Sequence, residues 1–304
     1  MKKKQKPAAI GFIFITLLID ITGWGIVIPV APKLIQELIG NADLSVAAQY
    51  GGWLGFLYAF MQFLFAPVLG NLSDQFGRRP VILFSLFGFS LNFFLQAWAP
   101  TIMWLFIGRI FSGITGASIT AASAYIADIS DDSNRSKNFG MIGAAFGLGF
   151  ILGPVIGGVL GQYGARVPFI AAGILCLVNF IYGVFVLPES LDTEHRRKFS
   201  FKRANPIGTL LNIRKYPSII YLMVAWFLVY IAAHAVQTNW PYFTMYVFNW
   251  DEKMVGISLG VMGAATALVQ GYLIRKVHPR FGAERSILYG IIMYGIGMLL
   301  FAFA

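Results

Sequence analysis

The sequence predicts an all-α polytopic membrane protein. Three observations carry that expectation: nine long apolar runs, very little charge inside them, and positive charge gathered between them on one side. Hydrophobic residues make up 58% of the 304-residue chain and charged residues only 12%. Mean hydropathy is +0.71, a balance foreign to an ordinary water-soluble domain. Crossing a hydrocarbon core of roughly 30 Å takes about 20 helical residues. Runs near that length lie at 8–30, 48–70, 80–98, 102–127, 138–161, 167–187, 218–240, 254–275 and 286–304.

With the N-terminus in the cytoplasm, 19 of the 23 Lys and Arg residues fall on the inner side. Only Lys33, Arg166 and Lys253 fall outside, so the positive-inside rule sets the orientation. The net charge of +10 is strung along one membrane face, which excludes a soluble nucleic-acid binder. The basic leader is not a cleaved signal: no small-residue cleavage site follows it, Asp20 interrupts its apolar run, and eight further runs come after. Cys176 is the only cysteine, so no internal disulfide or thiolate metal cluster is expected.

The first span carries Asp20, then Gly23 and Gly25, with Pro29 and Pro32 framing its outer end. An aspartate within a span must be paired, hydrated or protonated, which makes Asp20 either a proton site or a structural hydrogen-bonding group. The second span contributes Gln62, which faces a cavity or bonds a neighbouring helix. The stretch 70–80 then reads as a polar hinge. Gly70 and Gly77 allow tight turns, Pro80 suits the first turn of a following helix, and Arg78 and Arg79 belong on the cytoplasmic side. Asp74 is placed to cap a helix or pair with an arginine.

Asn92 and Gln96 of the third span are further cavity candidates. The fourth span holds Arg109, the one cation within a run, and ends at Asp128. At about 1.5 Å per residue Arg109 lies roughly 28 Å from Asp128, and Asp20 lies roughly 20 Å from Pro7. The two sites can therefore share a layer in which Arg109 biases the protonation of Asp20; the alternative is an arginine holding broken helix backbone. The fifth span presents Gly149, Gly153, Pro154, Gly157 and Gly158, glycines at four-residue spacing for close helix contact with a proline bend. A basic segment follows the sixth span and reads as a cytoplasmic linker, in part at the lipid surface. His234, Gln237 and Trp240 of the seventh span are cavity candidates, and His234 and Gln237 share a face. Phe76 and Gly77 recur as Phe281 and Gly282, with Gly271 and Leu273 matching Gly70 and Leu72, a weak internal repeat.

The pattern Gly70-x-Leu72-Ser73-Asp74-x-x-Gly77-Arg78-Arg79 resembles the loop between helices 2 and 3 of the major facilitator superfamily. One position departs, Gln75, where that family often has Arg or Lys. The first span is similar to that of drug-proton antiporters, the tetracycline efflux branch above all, and Gly149-x-x-x-Gly153-Pro154-x-x-Gly157-Gly158 resembles the family's antiporter motif. The resemblance implies a major facilitator fold with about nine transmembrane helices present of an expected twelve, so a fragment or truncated chain. It implies an N-terminal six-helix half at 1–190, a cytoplasmic linker at 191–217 and an incomplete C-terminal half at 218–304.

It further implies that Arg109 takes part in proton transfer, that Asp74, Arg78 and Asp128 form a conformational latch with the surrounding Gly70, Gly77 and Arg79, and that transport is outward. The expected function is proton-coupled efflux of small amphipathic drugs or metabolites across the cytoplasmic membrane by a monomer. The proton gradient is the energy source, with no cofactor, metal or enzymatic step. Tetracycline exporters carry further membrane acids where this chain has Asn92 and Tyr294, which favours a neutral or cationic substrate over a metal-chelated one. A proton-coupled uptake carrier and a transport-inactive fragment are the alternatives.

Overall fold

A computed structural model describes residues 7–303 except 117, 132 and 209–216; the basic leader, part of the linker and Ala304 lie outside the described residues. The first span is α1 (Pro7–Val27), followed by a short α2 (Ala31–Ile39) that carries Pro32 in its first turn and stops at Gly40, whose φ of 65° no β-carbon favours. Asp43 caps α3 (Leu44–Phe76) by accepting the Ser45 N–H at 2.8 Å.

α3 runs 33 residues, straight through the stretch expected to be a loop. Gly70 is helical and no turn occurs there, which corrects the expected hinge. A helix does not stop where apolar residues stop; Asn71, Ser73, Asp74 and Gln75 stay helical because their polar groups find partners beyond the apolar layer. The break is Gly77 alone, at φ 106°, after which α4 (Arg78–Ala97) starts with Pro80 in its first turn.

The fourth span is two helices, α5 (Ile102–Thr115) and α6 (Ser118–Ile129), separated at Gly116, whose ψ of 36° leaves the helical path. A uniform rise between Arg109 and Asp128 therefore does not hold. α7 (Arg135–Gly161), with Pro154 inside it, and α8 (Val167–Val186) complete the first group. α9 (Pro217–Phe248) opens the second, and Asp251 caps α10 (Glu252–Leu268) by accepting the Met254 N–H at 2.8 Å. A π turn (Val269–Leu273) leads into α11 (Ile274–Ala302), kinked at Gly282 with φ 76°.

Among the described residues eight spans are long and apolar enough to cross a membrane, α5 and α6 counting together as one, against nine expected. The difference is the run at 254–275, which is divided between the 17-residue α10 and the π turn. Both glycines of the internal repeat, Gly77 and Gly282, adopt positive φ, although Gly271 and Leu273 lie within the π turn.

Helix α1 packs along α7 and α8, α4 along α8 and α5, and α3 along α5. The two groups meet along α7 and α10, and again between α3 and α9. Glycines set the first of these contacts. A β-carbon on Gly256 would lie 2.3 Å from the Pro154 carbonyl oxygen, and one on Gly158 would lie 2.5 Å from that of Glu252. Near the end opposite Gly77, the Tyr242 ring of α9 lies directly over Gly51 of α3. At that same end Lys33 of α2 and Glu252 of α10 form an ion pair of 2.9 Å. The Glu252 carboxylate holds the Lys33 ammonium above its ordinary lysine range by a hydrogen bond, outweighing partial burial.

Candidate functional site

Two polar clusters stand out, one within the apolar layer and one at the end that carries Gly77. The inner one is built on Asp20 of α1, which is 9% exposed. Tyr58 of α3 lies within electrostatic reach of both Asp20 and Arg109 of α5. Arg109 is also within electrostatic reach of Tyr242 of α9, so a phenol from each group of helices acts on the guanidinium. The Tyr58 phenol, within reach of both, gives the Asp20 carboxylate and the Arg109 guanidinium a common neighbour. Water-poor surroundings strengthen such couplings, because little solvent dipole screens them.

Gln62 resolves toward bonding a neighbouring helix. Its Nε2 donates to the Gly116 carbonyl at 3.0 Å and to the Tyr58 hydroxyl at 3.2 Å. The break after Thr115 frees that carbonyl from the helix ladder, and an amide donor is what a freed carbonyl needs. The broken backbone is thus held by Gln62, whereas the Arg109 Nε is buried without a hydrogen bond among the described residues. Trp24, one turn beyond Asp20, spans from Tyr58 (ring centroids 6.5 Å apart) to Phe150 of α7 (6.0 Å, edge to face). The same helix turns its other side to α8, where the Asn179 amide donates to the Thr16 carbonyl at 3.1 Å.

Asn92 and Gln96, expected as cavity candidates, are each only 2% exposed. They pack where Gly108 of α5 approaches α4: a β-carbon on Gly108 would lie 2.7 Å from the Asn92 Oδ1. Their place is a helix interface, since α4 is wedged between α5 and α8. His234 and Gln237 are exposed on α9, with His234 against the Tyr230 ring at 5.7 Å. Trp240 instead ties α9 to α10, its Nε1 donating to the Ser258 hydroxyl at 2.9 Å.

The second cluster gathers around Arg78, which is 9% exposed. Its Nη1 donates to Asp74 Oδ1 at 2.7 Å and to Ser73 Oγ at 2.9 Å, and its Nε donates to Asp128 Oδ2 at 3.0 Å. A planar guanidinium can satisfy three such acceptors at once because its donors diverge in one plane. Arg79 stands apart, its Nη2 donating to the Val184 carbonyl at 2.7 Å. Gly70 takes no part in the contacts, and nothing approaches its missing β-carbon within 4 Å.

Sequence reading missed Glu189, just beyond α8. Its carboxylate accepts the Arg78 and Arg79 backbone N–H groups at 2.8 and 3.2 Å, capping the unsatisfied start of α4 with a negative charge. A β-carbon on Gly77 would lie 2.2 Å from Glu189 Oε2, so that glycine is required by space as well as by φ. Ser190 donates to Asp128 Oδ2 at 3.1 Å, and the Tyr125 hydroxyl to the Pro188 carbonyl at 3.1 Å. A cavity of about 320 Å³ remains, lined by Asp74, Arg78, Asp128, Ser190, Asp192 and His195. The one sequence signal was an acid immediately after an apolar run.

Closely packed apolar spans, a charged layer inside them and an arginine–carboxylate cluster at one end define a polytopic helical transporter. The family model described as Major Facilitator Superfamily matches residues 13–304, and the chain belongs to that superfamily. It is 40% identical over 289 residues to the tetracycline resistance protein, class C, of Escherichia coli, covering 95% of this chain and 72% of that protein. It is 39% identical over 289 residues to the class E protein of Escherichia coli, covering 95% and 70%. Among solved structures, the human organic anion transporter MFSD10 (TETRAN) superposes with a TM-score of 0.71 at 23% identity, covering 91% of this chain and 74% of that one.

Proposed function

We propose that this chain exports small amphipathic molecules across the cytoplasmic membrane in exchange for protons, with its N-terminus in the cytoplasm. The observation that carries this reading is Asp20, buried on α1 beside Tyr58, with Arg109 facing the same phenol. A carboxylate so placed is costly to keep charged when the site is dry and easy to ionise when water reaches it. Asp20 therefore holds a proton on one side of the membrane and gives it up on the other, and Arg109 biases that exchange through the shared layer.

The units are an N-terminal half at 1–190, a linker at 191–217 and a C-terminal part at 218–304. They rock about the interior in alternating access. Tyr242 over Gly51 and Lys33 with Glu252 tie the second group of helices to the first at the outer end. The Asp74–Arg78–Asp128 cluster is the latch at the inner end. Gly149, Gly153 and Gly157 hold α7 against α1, while Gly158 and the Pro154 carbonyl form the surface on which α10 of the second half moves, and the resemblance of this stretch to the antiporter motif supports outward transport. Energy comes from the proton gradient, about 2.3 kcal/mol per charge for each 100 mV. The working unit is a monomer in lipid.

The test is drug-induced proton flux in inside-out vesicles, comparing the chain with Asp20→Asn across a panel of amphipathic drugs. Flux present in the native chain and lost in the variant is the expected result. Flux that survives Asp20→Asn removes Asp20 from the coupling.

A further inference from the structure

The segment after α8 does more than lead away from it. Beyond Glu189, the chain at 196–200 carries no helix and returns across the end of α3. The Arg197 N–H donates to the Asp74 carbonyl at 3.0 Å. Two residues on, the Phe199 N–H donates to the Gln75 Oε1 at 3.1 Å. The Ser200 carbonyl then accepts from the Asn71 Nδ2 at 3.0 Å. Alternate N–H groups of an extended segment point the same way, so Arg197 and Phe199 present two donors to one helix end.

These contacts have a physical logic. Asp74 lies within the last four residues of α3, whose carbonyls have no helical donor and need an outside one. Arg197 supplies it. Asp74 is thereby held twice, its carbonyl by Arg197 and its carboxylate by Arg78. Gln75 supplies the second acceptor, which an arginine or lysine at that position lacks altogether. The departure from the familiar pattern at this residue thus has a bonding role in this chain.

We propose that residues 197–200 form a strap docked on α3 through Gln75 and Asn71, and that Gln75 is a positioning residue for the Asp74–Arg78–Asp128 cluster. The strap fixes the backbone of Asp74, so that its carboxylate meets Arg78 in one geometry and the cluster opens and closes as a unit. It also decides where the linker leaves the first group of helices. This inference rests on the transport reading for its functional part and on geometry alone for the docking.

The experiment places a cysteine at Ser200, Cys176 being buried, and measures its maleimide labelling rate in purified protein with native Gln75, Gln75→Leu, Gln75→Glu and Asn71→Ala. The same Gln75 variants are assayed for drug-driven proton exchange in vesicles. Gln75→Leu is expected to raise labelling several-fold and lower the maximal exchange rate with little change in the half-saturating drug concentration. Gln75→Glu, which keeps an acceptor, restores both, and Asn71→Ala raises labelling from the other end of the strap. Native labelling in Gln75→Leu and Asn71→Ala overturns the docking. Raised labelling with a native exchange rate overturns the positioning role. A native chain without drug-driven flux overturns the transport reading and the positioning role together, while labelling still decides the docking.

Discussion

Gly157→Ala tests the contact between α1 and α7 most sharply. A β-carbon there would sit 1.9 Å from the Ile26 carbonyl oxygen, where ordinary contact begins at 3.4 Å, so the gap is short by 1.5 Å. The obstacle is backbone, which no rotamer change can move aside. The helices must part by about that distance or the new methyl must bend α7, and overpacking of this kind costs about 1–3 kcal/mol. Gly143→Ala on the same helix is the control: nothing lies within 4 Å of its β-carbon, and alanine favours a helix over glycine by about 1 kcal/mol. Thermal unfolding of both proteins in detergent, followed by tryptophan fluorescence, is the assay. Gly157→Ala is expected to melt about 2–6 °C below the native chain, and Gly143→Ala at or above it. Equal melting of the two variants would refute the packing argument.

Three other outcomes follow from the same geometry. Arg78→Lys exchanges a fork that reaches Ser73, Asp74 and Asp128 for a single ammonium; hydrogen bonds to charged groups contribute about 1.5–3 kcal/mol each, so exchange rates measured in vesicles should fall roughly tenfold or more. Gln62→Leu strips the donor from the Gly116 carbonyl and the Tyr58 hydroxyl, a loss of about 1–3 kcal/mol that should appear as a lower melting temperature. Lys33→Glu should loosen the end opposite Gly77, read as faster labelling of Gln36→Cys, and adding Glu252→Lys should reverse it. Because Glu252 raises the Lys33 pKa, the pair's contribution is fully present below the ordinary lysine range and is lost only as pH rises through the raised value. The ratio of labelling in Lys33→Glu to labelling in the native background, which cancels the rise in thiolate with pH, should therefore be flat from neutrality to about pH 9, and since Lys33 is 47% exposed the pair is worth less than about 1 kcal/mol.

Much of the inner cluster was legible because a charge inside an apolar run is conspicuous whatever surrounds it. Asp20 and Arg109 were visible for that reason, Asp74 and Arg78 through a patterned loop, and Asp128 through the family resemblance at the end of the fourth span. Gly77 was legible as a turn, and Gly70 was misread as one because glycine alone does not reveal whether its φ is positive. Asn92 and Gln96 were misplaced because a polar side chain looks the same in sequence whether it faces a cavity or a helix interface. Tyr58 and Trp24 were missed because aromatic residues are common in every span.

The sequence by itself determined the helical class, most of the spans and the family, since length and hydropathy are sums over residues that the membrane reads locally. Tertiary structure alone decided the partnerships. Glu189 caps Arg78 across 111 positions, and Phe199 reaches Gln75 across 124. The glycines of α10 meet those of α7 because α7 lies between α1 and α10. Hydrogen bonds and backbone contacts of this kind exist only at separations of a few ångströms, and those separations are set by how the helices pack against one another. No local pattern encodes them.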